Sequence, residues 1–108
     1  MTKFPRRIDE NQTEIVQYLR KLGAKVLILS AVGNGCPDLL VSIRRQHLRK
    51  HAWMGLIEIK SDAQPPSKQR LTPHEQKFFD DWEGCPVFIV KCLADIDKLF
   101  DRVLNLEA

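Results

Sequence analysis

Hydrophobic positions fall into seven blocks of distinct period. Between Asp9 and Leu22, Ile15, Val16, Leu19 and Leu22 recur at helical spacing, and Gly23 stops the pattern. Asp9 and Gln12 have the separation of an N-cap and its third helical residue. Lys25 to Ser30 (KVLILS) predicts a buried strand, Ala31 to Pro37 a Gly-rich turn, and Asp38 to Ile43 (DLLVSI) a second strand. Arg44 to His51 (RRQHLRKH) has no apolar alternation and predicts an exposed basic loop before a third strand, Trp53 to Lys60. Ser61 to Arg70 is a Pro-interrupted loop. Thr72-Pro73-His74-Glu75 then opens a helix with a capping-box pattern, and Gly84 ends it. Pro86 to Lys91 (PVFIVK) predicts a fourth strand. Ala94 to Leu104 carries Ile96, Leu99, Phe100, Val103 and Leu104, the stripe of an amphipathic helix. The order α-β-β-β-α-β-α predicts an α/β layer structure, a four-stranded sheet with helices on its faces.

At 108 residues, the chain has room for one domain, spanning 1–108. No apolar stretch approaches the roughly 20 residues of a membrane span, and Met1 to Arg7 does not lead into the apolar block of a secretory signal. Cys36, Cys85 and Cys92 cannot all pair within one chain and lack CxxC spacing, which predicts small buried hydrophobes in a reduced, cytoplasmic setting.

The net charge of +3 hides an asymmetry. Residues 1–70 hold 13 Lys and Arg against 6 Asp and Glu, whereas residues 71–108 hold 4 against 8. A basic front half suggests a polyanionic partner and makes its few acids worth locating.

Two of those acids are out of place. Side chains alternate across a strand, so Met54, Leu56, Glu58 and Lys60 share one face of the third strand. Glu58 thus sits among apolar neighbours, where a carboxylate needs a positive partner. Lys60 is one candidate and a metal ion another; an ordinary solvated polar face is the simpler alternative. Asp38 follows Gly35-Cys36-Pro37 and heads a purely apolar strand, in a pattern that also suits a plain turn. If the second and third strands pair antiparallel, Asp38 and Glu58 meet at one end of the sheet. Two carboxylates there suit a hard divalent cation, Mg²⁺ or Mn²⁺. Lys60 on the same face could orient or help deprotonate a water.

Gly35-x-Pro37-Asp38, an apolar strand, then Glu58-x-Lys60 resembles the core of PD-(D/E)XK nucleases. Asp9-x-x-Gln12-x-x-Ile15-x-x-Tyr18-Leu19 is similar to the opening helix of VRR-NUC domains, and Leu71-Thr72-Pro73, Glu75-Gln76 and Phe78-Phe79 resemble their later helix. The resemblance covers nearly the whole chain. It implies a restriction-endonuclease-like core, a four-stranded mixed sheet flanked by helices. It also implies a Mg²⁺- or Mn²⁺-dependent DNA endonuclease related to Holliday-junction resolvases, acting as a homodimer on structured DNA in a bacterial or phage-infected cell. Asp38, Glu58 and the Ile59 carbonyl would match the metal ligands, and Lys60 the catalytic lysine.

The family also places an acid on the first helix. At about 100° per residue, Asp9 lies about 90° from the core direction, and Glu10 and Glu14 about 130° or more. Asp9 is therefore the candidate, touching metal directly, through water, or serving only as N-cap. The family's later Gln falls here on Glu75, which can simply close the capping box, with Gln76 one position further. Gln76 is carried as the residue that would position the attacking water or contact phosphate. Arg44, Arg45, Arg49, Lys50, Lys68 and Arg70 are candidate phosphate contacts. The spacing of His47, His51 and His74 suits exposed surface rather than a metal site. A non-catalytic nucleic-acid-binding domain that keeps the fold is the competing expectation.

Overall fold

The computed structural model describes residues 10–44 and 52–105. The first helix, α1 (Glu10–Lys21), buries Ile15, Val16 and Leu19. It closes through the Gly23 and Ala24 amides, which donate to the Arg20 and Leu19 carbonyls at 3.0 Å each. Three antiparallel strands follow, β1 (Lys25–Ile28), β2 (Leu39–Arg44) and β3 (Ala52–Ile59). The chain then forms α2 (Pro66–Gln69) and α3 (Pro73–Asp81), crossing over to β4 (Val87–Val90), which lies parallel to β3. The last helix is α4 (Leu93–Leu104). The four strands form one mixed sheet in the order β1-β2-β3-β4.

Strand alternation sorts the sheet into two faces. Leu39, Val41 and Ile43 of β2, Ile57 and Ile59 of β3, and Val90 of β4 are buried together with α1 and with Ile96, Leu99 and Val103 of α4. Tyr18 ties the two helices together by donating to Asp97 Oδ1. On the other face, Leu40 and Leu56 share a cavity with Phe78 and Trp82, the side chains of α3 and its C-terminal end. A four-stranded α/β sheet flanked by helices is the architecture that the hydrophobic pattern predicts, and the sheet is mixed, as the family resemblance implies.

Three expectations need correction. Residues 61–70 are not wholly loop: Pro66 occupies the first position of a single helical turn, where its missing N–H costs nothing, so the order is α-β-β-β-α-α-β-α. The strand expected to be buried over Lys25–Ser30 is an edge strand, with Leu27 56% and Ile28 44% exposed. Cys85 is exposed, while Cys36 and Cys92 are half-buried; all three are free. Among the described residues, no helix is long and apolar enough to cross a membrane.

Candidate active site

The turn before β2 is built to bring α3 against the end of the sheet. Gly35 has a φ of 79°, and a Cβ there would stand 2.2 Å from the His74 carbonyl oxygen, so only glycine lets the start of α3 approach this closely. Pro37 is buried and delivers Asp38 to the head of β2.

The register Leu39↔Ile57 continues to Asp38 opposite Glu58 and Pro37 opposite Ile59. Leu29 N donates to the Asp38 carbonyl at 2.7 Å, so Asp38 gives its backbone to β1 and the next residue faces β3. Position 37 should therefore exchange both ladder bonds with Ile59, but Pro37 has no N–H to donate. The Ile59 amide, whose ladder acceptor would be the Pro37 carbonyl, donates to Asp38 Oδ2 at 2.7 Å. The Ile59 carbonyl receives no ladder donor from position 37. The Asp38 carboxylate and the Ile59 backbone thus lie together where β2 starts.

Glu58 projects from β3 on the α3 side and is 4% exposed. Lys60 follows on the same face, its Nζ 3.7 Å from Glu58 Oε2 and 2.8 Å from Glu75 Oε1. Main-chain bonds hold Lys60 on both flanks: its amide donates to the Val90 carbonyl at 3.0 Å, and its carbonyl accepts from Asn11 Nδ2 at 3.1 Å. Glu75 is positioned by the capping box of α3. Its Oε1 accepts from Thr72 N at 2.8 Å, and its own amide donates to Thr72 Oγ1 at 3.2 Å.

Three carboxyl groups surround one ammonium, and the imbalance falls on Glu58. Burial, then the neighbouring charges of Asp38 and Glu75, push its carboxyl up to about 9 despite Lys60. Burial also raises Asp38, opposed by the Ile59 amide and by Lys60. For Glu75, burial works against ionisation, but hydrogen bonds from Lys60 and Thr72 outweigh it and hold the carboxyl below its ordinary value. Burial works against a charged Lys60 too, and the Glu75 hydrogen bond with the three nearby carboxylates raises it above the ordinary lysine value. Lys60 is therefore an ammonium at neutral pH. Cys36 senses the same site: burial, then Glu58 and Asp38, raise its thiol.

Comparison of the chain with family models, curated proteins and solved structures finds no match.

The donor set fits a hard divalent cation. The Asp38 and Glu58 oxygens and the Ile59 carbonyl are all oxygen ligands, and the cluster carries more negative charge than Lys60 neutralises. Among the described residues, no group of three or more His, Cys, Asp or Glu side chains stands in a metal-ligating arrangement.

The structure brings Asp38, Glu58, Ile59 and Lys60 together. It does not bring Gln76, which is exposed and donates to Asp80 Oδ1 at 3.0 Å; Glu75 occupies the site in its place. Arg44 at the end of β2, Lys68 on α2 and Arg70 just after it are exposed. Asp9, Arg45, Arg49 and Lys50, with His47 and His51, lie outside the described residues. His74 is exposed, as its lack of ligand spacing suggested. Two contributors escaped the sequence reading: Asn11, which fixes the Lys60 backbone, and Glu75 as the partner of Lys60. Gln12, singled out by its motif spacing, is buried and accepts from Ser30 Oγ at 3.1 Å.

Proposed function

We propose that this chain is a Mg²⁺- or Mn²⁺-dependent DNA endonuclease of the VRR-NUC type within the PD-(D/E)XK nucleases. The observation that carries the reading is the convergence of Asp38, Glu58 and the Ile59 carbonyl at the end of the β2–β3 pair, with the Lys60 ammonium beside them. The order of motifs in the sequence supports the same reading.

Asp38 and Glu58, with the Ile59 carbonyl, would hold the cation. Once bound, it would supply a Lewis acid that polarises the phosphoryl group and makes a water acidic enough to attack at neutral pH. Lys60 places a fixed positive charge where the phosphoryl oxygens gain negative charge in the transition state. Glu75 holds that ammonium in place and keeps it protonated. Lys68, Arg70 and Arg44 would contact backbone phosphates without reading sequence. Selectivity for branched or junction DNA and action as a homodimer follow from the family resemblance and belong to the same proposal.

The test is incubation of four-way, flap and linear DNA with Mg²⁺ or Mn²⁺. Cleavage is expected from the wild-type chain and absent from Asp38→Ala and Lys60→Ala. Binding without cleavage in every divalent metal would favour a nucleic-acid-binding domain that keeps the fold but not the turnover.

A further inference from the structure

Directly beside the carboxylates, the sheet face toward α3 is hollow. A cavity of ≈ 580 Å³ opens there, walled by Leu40, Leu56, Phe78 and Trp82, with Val32 at its rim. This lies within the roughly 300–1,000 Å³ of small-ligand pockets. Three of its walls are continuous with the candidate site. Leu40 lies two residues beyond Asp38 on the same face of β2, and Leu56 two residues before Glu58 on the same face of β3. Phe78 lies one turn beyond Glu75 on α3. Two residues of strand span about 7 Å, the scale that separates a nucleotide's phosphate from its base.

The aromatic wall is a prepared stacking surface. The Phe78 and Trp82 rings lie 5.0 Å apart and 7° from parallel, so Phe78 covers one face of the indole. Trp82 is nevertheless 48% exposed, and Val32 60%. An apolar, aromatic hollow next to a phosphate-handling site has the properties of a base pocket. Stacking tolerates any base because every base has a π face, and the pocket's open mouth leaves the base's polar edge in water.

We propose that this hollow receives one unpaired nucleobase of the strand being cut, stacked on Trp82 beside the scissile phosphate. The inference rests on the nuclease reading and adds its substrate class: DNA with a single-stranded or unpaired base at the cleavage position. A fully paired duplex keeps its bases in its own stack and must spend unstacking energy to fill the pocket.

The experiment measures binding and Mn²⁺-dependent cleavage of a single-stranded oligonucleotide, the same strand in a duplex, and a series with an abasic site moved one position at a time. Each is run with wild-type chain, Trp82→Ala, Trp82→Phe and Val32→Glu, with circular dichroism and sedimentation to report folding and mass. Wild type should bind the single strand at least about tenfold more tightly than the duplex, and one abasic position should weaken binding about tenfold. Trp82→Ala and Val32→Glu should lose that tenfold and the dependence on that base, and Trp82→Phe should recover most of it. Base-independent binding, with cleavage intact, would overturn the pocket and leave the nuclease reading standing. Base- and Trp82-dependent binding with no cleavage of these strands or of four-way and flap DNA in any divalent metal would keep the base pocket but overturn the nuclease reading and, with it, the place of the base beside a scissile phosphate. Absence of nucleic-acid binding overturns both. A change from dimer to monomer in Trp82→Ala, with base dependence unaltered, would assign the face to a second copy of the chain and overturn the pocket.

Discussion

The Asp38 carboxylate accepts the Ile59 amide at 2.7 Å, taking the bond that the carbonyl of position 37 would accept in a continued ladder. This contact ends the β2–β3 ladder and fixes the carboxylate beside Glu58, while Pro37, lacking an N–H, gives the Ile59 carbonyl no ladder donor. Structure and proposed chemistry meet in one hydrogen bond, and the two can be separated by substitution.

Asp38→Asn keeps an oxygen for the Ile59 amide and removes the charge. It should fold with a melting temperature close to or above the parent's, because Glu58 loses a repulsive neighbour, while cleavage disappears. Asp38→Ala removes the acceptor as well and should cost about 1–3 kcal/mol, the penalty of a buried amide left unpaired. Thermal melts and the cleavage assay, run on both variants, distinguish the two roles.

Glu58 makes stability depend on pH. Its carboxyl lies at about 9 in the folded chain against 4.5 for an ordinary glutamate, so the folded state holds a proton that the unfolded state has released. That contribution is fully present below about pH 4.5 and is lost as pH rises toward about 9, by at most ~1.4 kcal/mol per pH unit. Melting temperature should therefore fall by several degrees between pH 6 and pH 9 in metal-free buffer. Glu58→Gln, which stays neutral throughout, should remove most of that slope.

Glu75 holds Lys60 through a charge. Glu75→Gln retains an acceptor for Thr72 N and so most of the cap, costing about 1 kcal/mol or less. Without the anion, the Lys60 ammonium loses a support that raises it, and the alkaline limit of cleavage should move to lower pH. A pH–rate profile superimposable on the parent's would show that Glu75 serves the helix alone.

Gly35 carries the approach of α3. Gly35→Ala meets both a positive φ and the His74 carbonyl, and should cost about 1–3 kcal/mol while weakening cleavage. Gly23→Ala, at a φ of 97° with open space around it and at the far end of α1, supplies the control: it should cost about 1–2 kcal/mol and leave cleavage unchanged.

The periodicities of α1, α4 and the four strands were legible because their buried residues are apolar at the spacing each geometry demands. The juxtaposition of Asp38 with Glu58 was legible because antiparallel pairing of successive strands places the start of β2 opposite the end of β3. Burial of Leu27 and Ile28 was misjudged because a strand's own pattern does not say whether it lies at the edge of the sheet. The exchange of Gln76 for Glu75 has a tertiary cause. One residue along a helix turns the side chain by about 100°. Only the approach of α3 to Gly35, a tertiary contact between distant segments, fixes which of the two faces Lys60. Nor does a proline-rich stretch announce whether it will form one helical turn, as Pro66–Gln69 does.

Asp38 and Glu58 would share one divalent cation, and calorimetric titration of Mn²⁺ at pH 7 tests this most directly. The wild-type chain should bind one ion and release about one proton, because Glu58 must ionise to ligate; the release is read from buffers of different ionisation enthalpy. Asp38→Asn and Glu58→Gln should both abolish that binding. Wild-type binding that survives unchanged in both variants, or no binding at millimolar Mn²⁺, would contradict the account.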